Sequence, residues 1–262
     1  MTATRSPAVP LSRLRLRFAG GVALGALGLA ALWRPLGTAW VLAATLPGAY
    51  LAAYAWTNLG ANHSPDGADP SSRLGPANAI TLFRGWLAAV LAGAAVAPPP
   101  DPRIPVALFV GAVGLDAVDG AVARRTRETV LGARLDGATD ALAVLVGAAV
   151  AVALGALPAW YLLAGGVWYA YAGSLWRRRR AGAPVYELPP SRLRPFVGTA
   201  QFVVVAIALL PGVGTAGETT GLTAFAAVAL AALLASFARD WAAATGRLGR
   251  DDPPIAAGRG GD

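Results

Sequence analysis

Asp116 and Asp119 stand three residues apart, and Asp136 and Asp140 four apart, in a chain that is otherwise mostly apolar. Spacings of i,i+3 and i,i+4 put each pair on one face of a helix. Four neighbouring carboxylates repel one another. In a membrane each central aspartate also costs about 2.5–3.5 kcal/mol on the insertion scale. Something positive has to share the cluster. An arginine could partly serve, but a divalent cation suits carboxylate oxygens better. Mg2+ is the natural candidate, because it binds through a few carboxylates, water and substrate phosphates. Two such ions would clamp the attacking and leaving oxygens of a phosphoryl transfer. A lone membrane aspartate is as readily a helix–helix hydrogen-bonding residue, but four at matched depth are not explained that way.

The residues between the aspartates fit the same chemistry. Gly120 lets a ligand approach the backbone closely, and Ala123 keeps that face narrow one turn later. Arg124 suits a phosphate, and Gly132 opens the next helix. The pattern is D-x-x-D-G-x-x-A-R followed by G-x-x-x-D-x-x-x-D.

The elements that must position these groups are apolar helices. Of 262 residues, 56% are hydrophobic and 14% charged, against about 25% charged in a typical soluble domain. Mean hydropathy is +0.54. There are no cysteines, which excludes a disulfide framework and thiolate metal sites. The net charge of +8 reads as the positive-inside rule, with no nucleic-acid partner. The basic, then apolar N-terminus mimics a signal peptide, but a second apolar run follows at once, so an uncleaved helix is expected.

Runs near the length needed to span a bilayer fall at 18–33, 38–56, 77–96, 104–124, 131–157, 159–176, 193–210 and 220–241. Arg34-Pro35-Leu36-Gly37 makes the turn between the first two. The expected organisation is all-α and polytopic. A basic segment and an extra helix pair occupy 1–57, a polar linker 58–75, a six-helix catalytic core 76–245 and a disordered cytoplasmic tail 246–262. Arg5, Arg13, Arg15, Arg17, Arg124, Arg125, Arg127, the Arg177–Arg180 run, Arg192, Arg247, Arg250 and Arg259 mark one side, and only Arg34 and Arg103 the other. An eight-helix count then places both termini in the cytoplasm.

At 1.5 Å per residue, Asp119 and Asp136 lie about 7–8 Å from the ends of their helices, and Asp116 and Asp140 about 12–13 Å. The two helices are joined by a short loop and are expected to be neighbours. Asp119 then matches Asp136 in depth and Asp116 matches Asp140, so all four converge just under the cytoplasmic interface.

The aspartate pattern resembles the signature of the CDP-alcohol phosphotransferase (phosphatidyltransferase) family. Asp116, Asp119, Gly120, Ala123, Arg124, Gly132, Asp136 and Asp140 match its eight fixed positions. One departure is the spacing between Arg124 and Gly132, where RTRETVL supplies seven residues and the family usually has eight. Asn78, Thr81 and Arg84 in PANAITLFRG are similar to the start of the family's first core helix, and Arg192, Arg194 and Gln201 to the start of its fifth. The first two helices are extra to this core.

The resemblance implies an integral-membrane enzyme of phospholipid biosynthesis. Its donor would be a CDP-linked lipid such as CDP-diacylglycerol or an archaeal ether-lipid equivalent, its acceptor the hydroxyl of a polar alcohol, and CMP the leaving group. One or two Mg2+, with Mn2+ as the alternative, would sit on Asp116, Asp119, Asp136 and Asp140. Asp140 would also act as general base. Asp119, Gly120, Ala123, Arg124 and Gly132 would hold the nucleotide. Thr81, Arg84, Arg134, Arg192 and Arg194 are candidates for a donor or acceptor phosphate. The Arg177–Arg180 run would meet anionic headgroups of membrane lipids, and a homodimer is expected. The alternatives are an intramembrane prenyltransferase, which needs a second aspartate-rich motif that the chain lacks, and a cation transporter, which would not need Gly120, Ala123 and Arg124 at fixed offsets.

Overall fold

The computed structural model describes residues 11–67, 71–97, 99–126, 128–213 and 219–248. Arg5, Arg127, Arg250, Arg259 and the tail beyond 248 lie outside the described residues. The helices are α1 (Leu11–Ala31), α2 (Trp33–Leu36), α3 (Thr38–Asn58), α4 (Pro76–Leu91), α5 (Ile104–Arg125), α6 (Val130–Ala153), α7 (Leu162–Arg180), α8 (Leu193–Ala208) and α9 (Thr219–Ala244). Among the described residues there is no strand, so the fold is all-α, as the apolar runs predict. Five helical segments there are long and apolar enough to cross a membrane: Leu11–Ala31, Pro76–Ala95, Ile104–Arg125, Val130–Ala153 and Thr220–Ala244. The other apolar helices complete a polytopic membrane protein.

The differences from expectation are local. The first helix begins at Leu11, seven residues early, and takes in Arg13, Arg15 and Arg17. Arginine is a good helix former, and Leu14 and Phe18, four apart, bury one face of this turn. Arg34–Leu36 is not an open turn but part of the one-turn helix α2. It ends at Gly37, whose φ of 86° is a left-handed conformation that glycine adopts freely. The Arg177–Arg180 run belongs to the last turn of α7 rather than to a loop. Cations at a helix C-terminus complement its dipole, and Arg180 lies over the ring of Trp176.

Helix α4 is the hub. It packs along α3, α5 and α6, while α5 and α6 touch each other only sparingly. The two helices are neighbours, as expected, but both lean mainly on α4, and a buried arginine from α4 stands between their aspartates. The extra helices dock on α4 by indole donors. Trp40 Nε1 donates to the Val90 carbonyl (2.7 Å), and Trp86 Nε1 donates to that of Gly25 (3.0 Å). Gln201 of α8 is buried, accepts from Tyr161 Oη (2.8 Å) and donates to the Ala229 carbonyl of α9 (2.9 Å), so it ties the far side of the bundle together.

Helices α6 and α7 meet through Gly165. A Cβ there would overlap the backbone of Leu145, which cannot swing away as a side chain would. Overpacking typically costs 1–3 kcal/mol, so Gly165→Val is expected to lower thermal stability in detergent by about 2 kcal/mol or more. An unchanged unfolding temperature would contradict this close approach.

Candidate active site

The four aspartates converge, and Arg84 of α4 occupies the point of convergence. Its side chain is only 2% exposed. Nη1 donates to Asp119 Oδ2 (2.8 Å) and Asp136 Oδ1 (3.0 Å). Nη2 donates to Asp140 Oδ1 (2.7 Å) and pairs with Asp116 Oδ1 (2.8 Å). Each terminal guanidinium nitrogen thus joins one aspartate of α5 to one of α6, in the pairing that equal depth predicts. Nε donates to the Ala112 carbonyl (3.0 Å), which fixes the guanidinium plane. Arginine's planar fork suits such an arrangement. Thr81, one turn before Arg84, donates to Asp119 Oδ2 (2.9 Å).

The carboxylates are not equivalent. Asp119 is 7% exposed, whereas Asp116 and Asp136 are 45% and 48% exposed. Oxygens of Asp116, Asp136 and Asp140 lie within 4.8 Å of one another. Arg84 engages one oxygen of each carboxylate, and a carboxylate offers about four lone-pair sites. The half-exposed pair therefore keeps acceptor capacity toward solvent. Hard oxygen donors this close together fit a divalent cation.

Beside the aspartates opens a cleft of about 570 Å3, within the range of small-molecule sites. Thr81, Asp116, Asp119, Gly120, Ala123, Arg124, Gly132 and Asp136 all line it. Pro65, Asn78, Glu128, Thr129 and Val130 line it as well, and the motif pattern did not single out most of these as site residues. Thr129 had a local signal: a threonine before an apolar run is a good N-cap. Its Oγ1 accepts from Gly132 N (2.9 Å). Gly132 also has to be small, because a Cβ there would lie 2.7 Å from Asn78 Oδ1.

A sequence profile of the CDP-alcohol phosphatidyltransferase family matches residues 75–242. The chain belongs to that family. No curated protein and no solved structure matches it. CDP-alcohol phosphatidyltransferases are membrane transferases that pass a phosphatidyl group from a CDP-alcohol donor to an alcohol acceptor. They generally depend on a divalent metal, and the three-carboxylate group is where this family member could hold one. The profile begins one residue before α4, leaving α1, α2 and α3 outside it.

The remaining arginines fall elsewhere. Arg84 is buried, with its terminal nitrogens on the four carboxylates and Nε on a backbone carbonyl, and is not open to a phosphate. Arg134 donates to Asn58 Oδ1 (2.8 Å). Arg194 makes a bidentate pair with Asp240 of α9 through Nε and Nη2, both at 2.9 Å, and Arg192 is exposed. None of Arg134, Arg192 and Arg194 lines the cleft, so the structure does not gather them into a cationic pocket there.

Proposed function

We propose that this family member transfers a phosphatidyl-type group from a CDP-linked lipid, CDP-diacylglycerol or its archaeol counterpart, to the hydroxyl of a polar alcohol, with Mg2+ and release of CMP. The observation that carries this is the double membership of Asp116 and Asp136: both belong to the three-carboxylate group, and both line the cleft. Metal ligands and nucleotide walls therefore share residues, as transfer from a pyrophosphate requires.

Asp116, Asp136 and Asp140 would hold Mg2+, with Asp119 behind them. Bound there, Mg2+ supplies electrostatic stabilisation to the pyrophosphate and to the charge that develops on CMP. Gly120, Ala123, Arg124 and Gly132 form the cleft wall that takes the nucleotide, and Arg124 presents its charge to a phosphate. Arg84 and Thr81 hold the carboxylates in place. Asp140 belongs to the carboxylate group but does not line the cleft, which favours a place on the acceptor side. There it takes the proton of the attacking hydroxyl. The new bond joins the acceptor oxygen to the phosphorus that carries the lipid, and the bond from that phosphorus to CMP breaks.

The basic ends of α1, α5 and α7 support a cytoplasmic placement of both termini and of the cleft, so the lipid tails stay in the bilayer while the polar acceptor arrives from water. The working form is a homodimer, by likeness to the family. The test is a CMP-release assay on purified protein with Mg2+, either CDP-lipid and a panel of polar alcohols, with mass detection of the lipid product. Metal-dependent CMP release that chelator abolishes is expected. No CMP with any acceptor and either donor would overturn the proposal, and diphosphate release from a prenyl donor would point to the rival chemistry.

A further inference from the structure

The segment between α3 and α4 precedes the family match, yet it grips the start of α6. Asn62 is fully buried there. Its Nδ2 donates to the carbonyls of Arg73 (2.8 Å) and Ser71 (3.2 Å), and Ser71 N donates back to the Asn62 carbonyl (2.7 Å). These bonds tie Ser71 and Arg73 to Asn62. Asn62 Oδ1 accepts from Asn78 Nδ2 (3.3 Å), which also reaches Leu74 O (2.8 Å) and Thr129 Oγ1 (3.2 Å). Thr129 is the cap of α6.

Two further bonds tie α6 directly to this segment and to the last residue of α3. Val130 N donates to the His63 carbonyl (2.9 Å). The first turn of a helix leaves its N–H groups without internal partners, and this one is satisfied from outside the family core. One turn on, Arg134 donates to Asn58 (2.8 Å). Apolar packing backs the arrangement: Leu14 and Phe18 of α1 and Leu59 share a buried cluster with Leu131 and Leu135 of α6. Asp136 follows Leu135 directly.

We infer that Asn62 is a positioning residue for the active site and that the extra N-terminal helices act as a clamp on the first two turns of α6. The clamp sets the cleft wall at Thr129, Val130 and Gly132 and the placement of Asp136. The inference rests on the reading of the cleft as the CDP-lipid site. Asn62 touches neither substrate nor the aspartates, and acts through Asn78, Thr129 and the α6 backbone.

The test compares Asn62→Ala with Trp40→Phe in the full-length protein. Trp40 is an equally buried residue of α3 that holds α4 at Val90 instead. In Asn62→Ala the KM for the CDP-lipid and the half-saturating Mg2+ concentration should each rise about tenfold, and amide hydrogen exchange should speed up at residues 129–136. Trp40→Phe should lower thermal stability and leave all three readings as in the wild type. Asn58→Ala, which removes the partner of Arg134 and otherwise only bonds within α3 itself, guards against misfolding of Asn62→Ala and should move the same readings by about two- to threefold. If the Asn58 and Asn62 variants change thermal stability alone, or if Trp40→Phe shifts KM and exchange as much as they do, the inference is overturned. Exchange at residues 129–136 is read without turnover, so a wild-type protein that released no CMP would fail the functional reading while leaving the clamp testable.

Discussion

Asp136→Asn is expected to lower metal-dependent CMP release by about a thousandfold or more and to leave the protein folded. That loss corresponds to about 4 kcal/mol of transition-state stabilisation, a size in line with removal of a group that holds charge at the reacting phosphorus. Asp136 belongs both to the three-carboxylate group and to the cleft wall, and it is 48% exposed. Asparagine is isosteric and keeps one oxygen for Arg84, so the fold loses little. Asp119 offers the contrast. It is buried and held by Thr81 and Arg84, so Asp119→Asn should reduce both turnover and thermal stability. Rates are measured as CMP released at saturating Mg2+, and folding by unfolding temperature in detergent. Retention of a tenth or more of wild-type turnover in Asp136→Asn would remove this carboxylate from the catalytic centre.

The helices were legible because their signals are local. Apolar runs broken by proline, glycine or charge gave α5 as 104–124, where the structure has Ile104–Arg125, and α8 started where expected, at Leu193. The carboxylate convergence was legible too, because it needs only the rise of a helix and a short connection. The occupant of the cluster was not. Arg84 lies 35 residues from Asp119 and 56 from Asp140 in sequence, and no periodicity reports which side chain of a third helix comes between two others. An arginine inside an apolar run reads first as a functional group such as a phosphate ligand, and otherwise as a residue reaching for the interface. Asn62 shows the same limit. It sits in a stretch rich in glycine, proline and serine that reads as a linker, and only tertiary contacts reveal its buried side chain.

The occupant of the cluster leads to the second large effect. Arg84→Gln removes the one positive charge that contacts all four aspartates, and in chelator the unfolding temperature is expected to fall by about 10 °C. Removing one partner of a buried ion pair typically costs 3–5 kcal/mol, and for a chain of this size each kcal/mol is worth about 2–4 °C. Glutamine keeps polarity but cannot reach four carboxylates, so their mutual repulsion is left without compensation. Turnover should fall about a hundredfold even at saturating metal, because the carboxylates lose the plane that orients them. The response to metal separates this account from simple loss of packing. With the guanidinium gone, the site is more negative, so Mg2+ should bind more tightly and should raise the variant's unfolding temperature more than the wild type's. A ligand at a hundred times its Kd stabilises by about 2.7 kcal/mol, enough to recover much of the deficit. If Mg2+ stabilises Arg84→Gln no more than it stabilises the wild type, Arg84 is not the counter-charge of the metal-binding carboxylates, and its contacts are structural only.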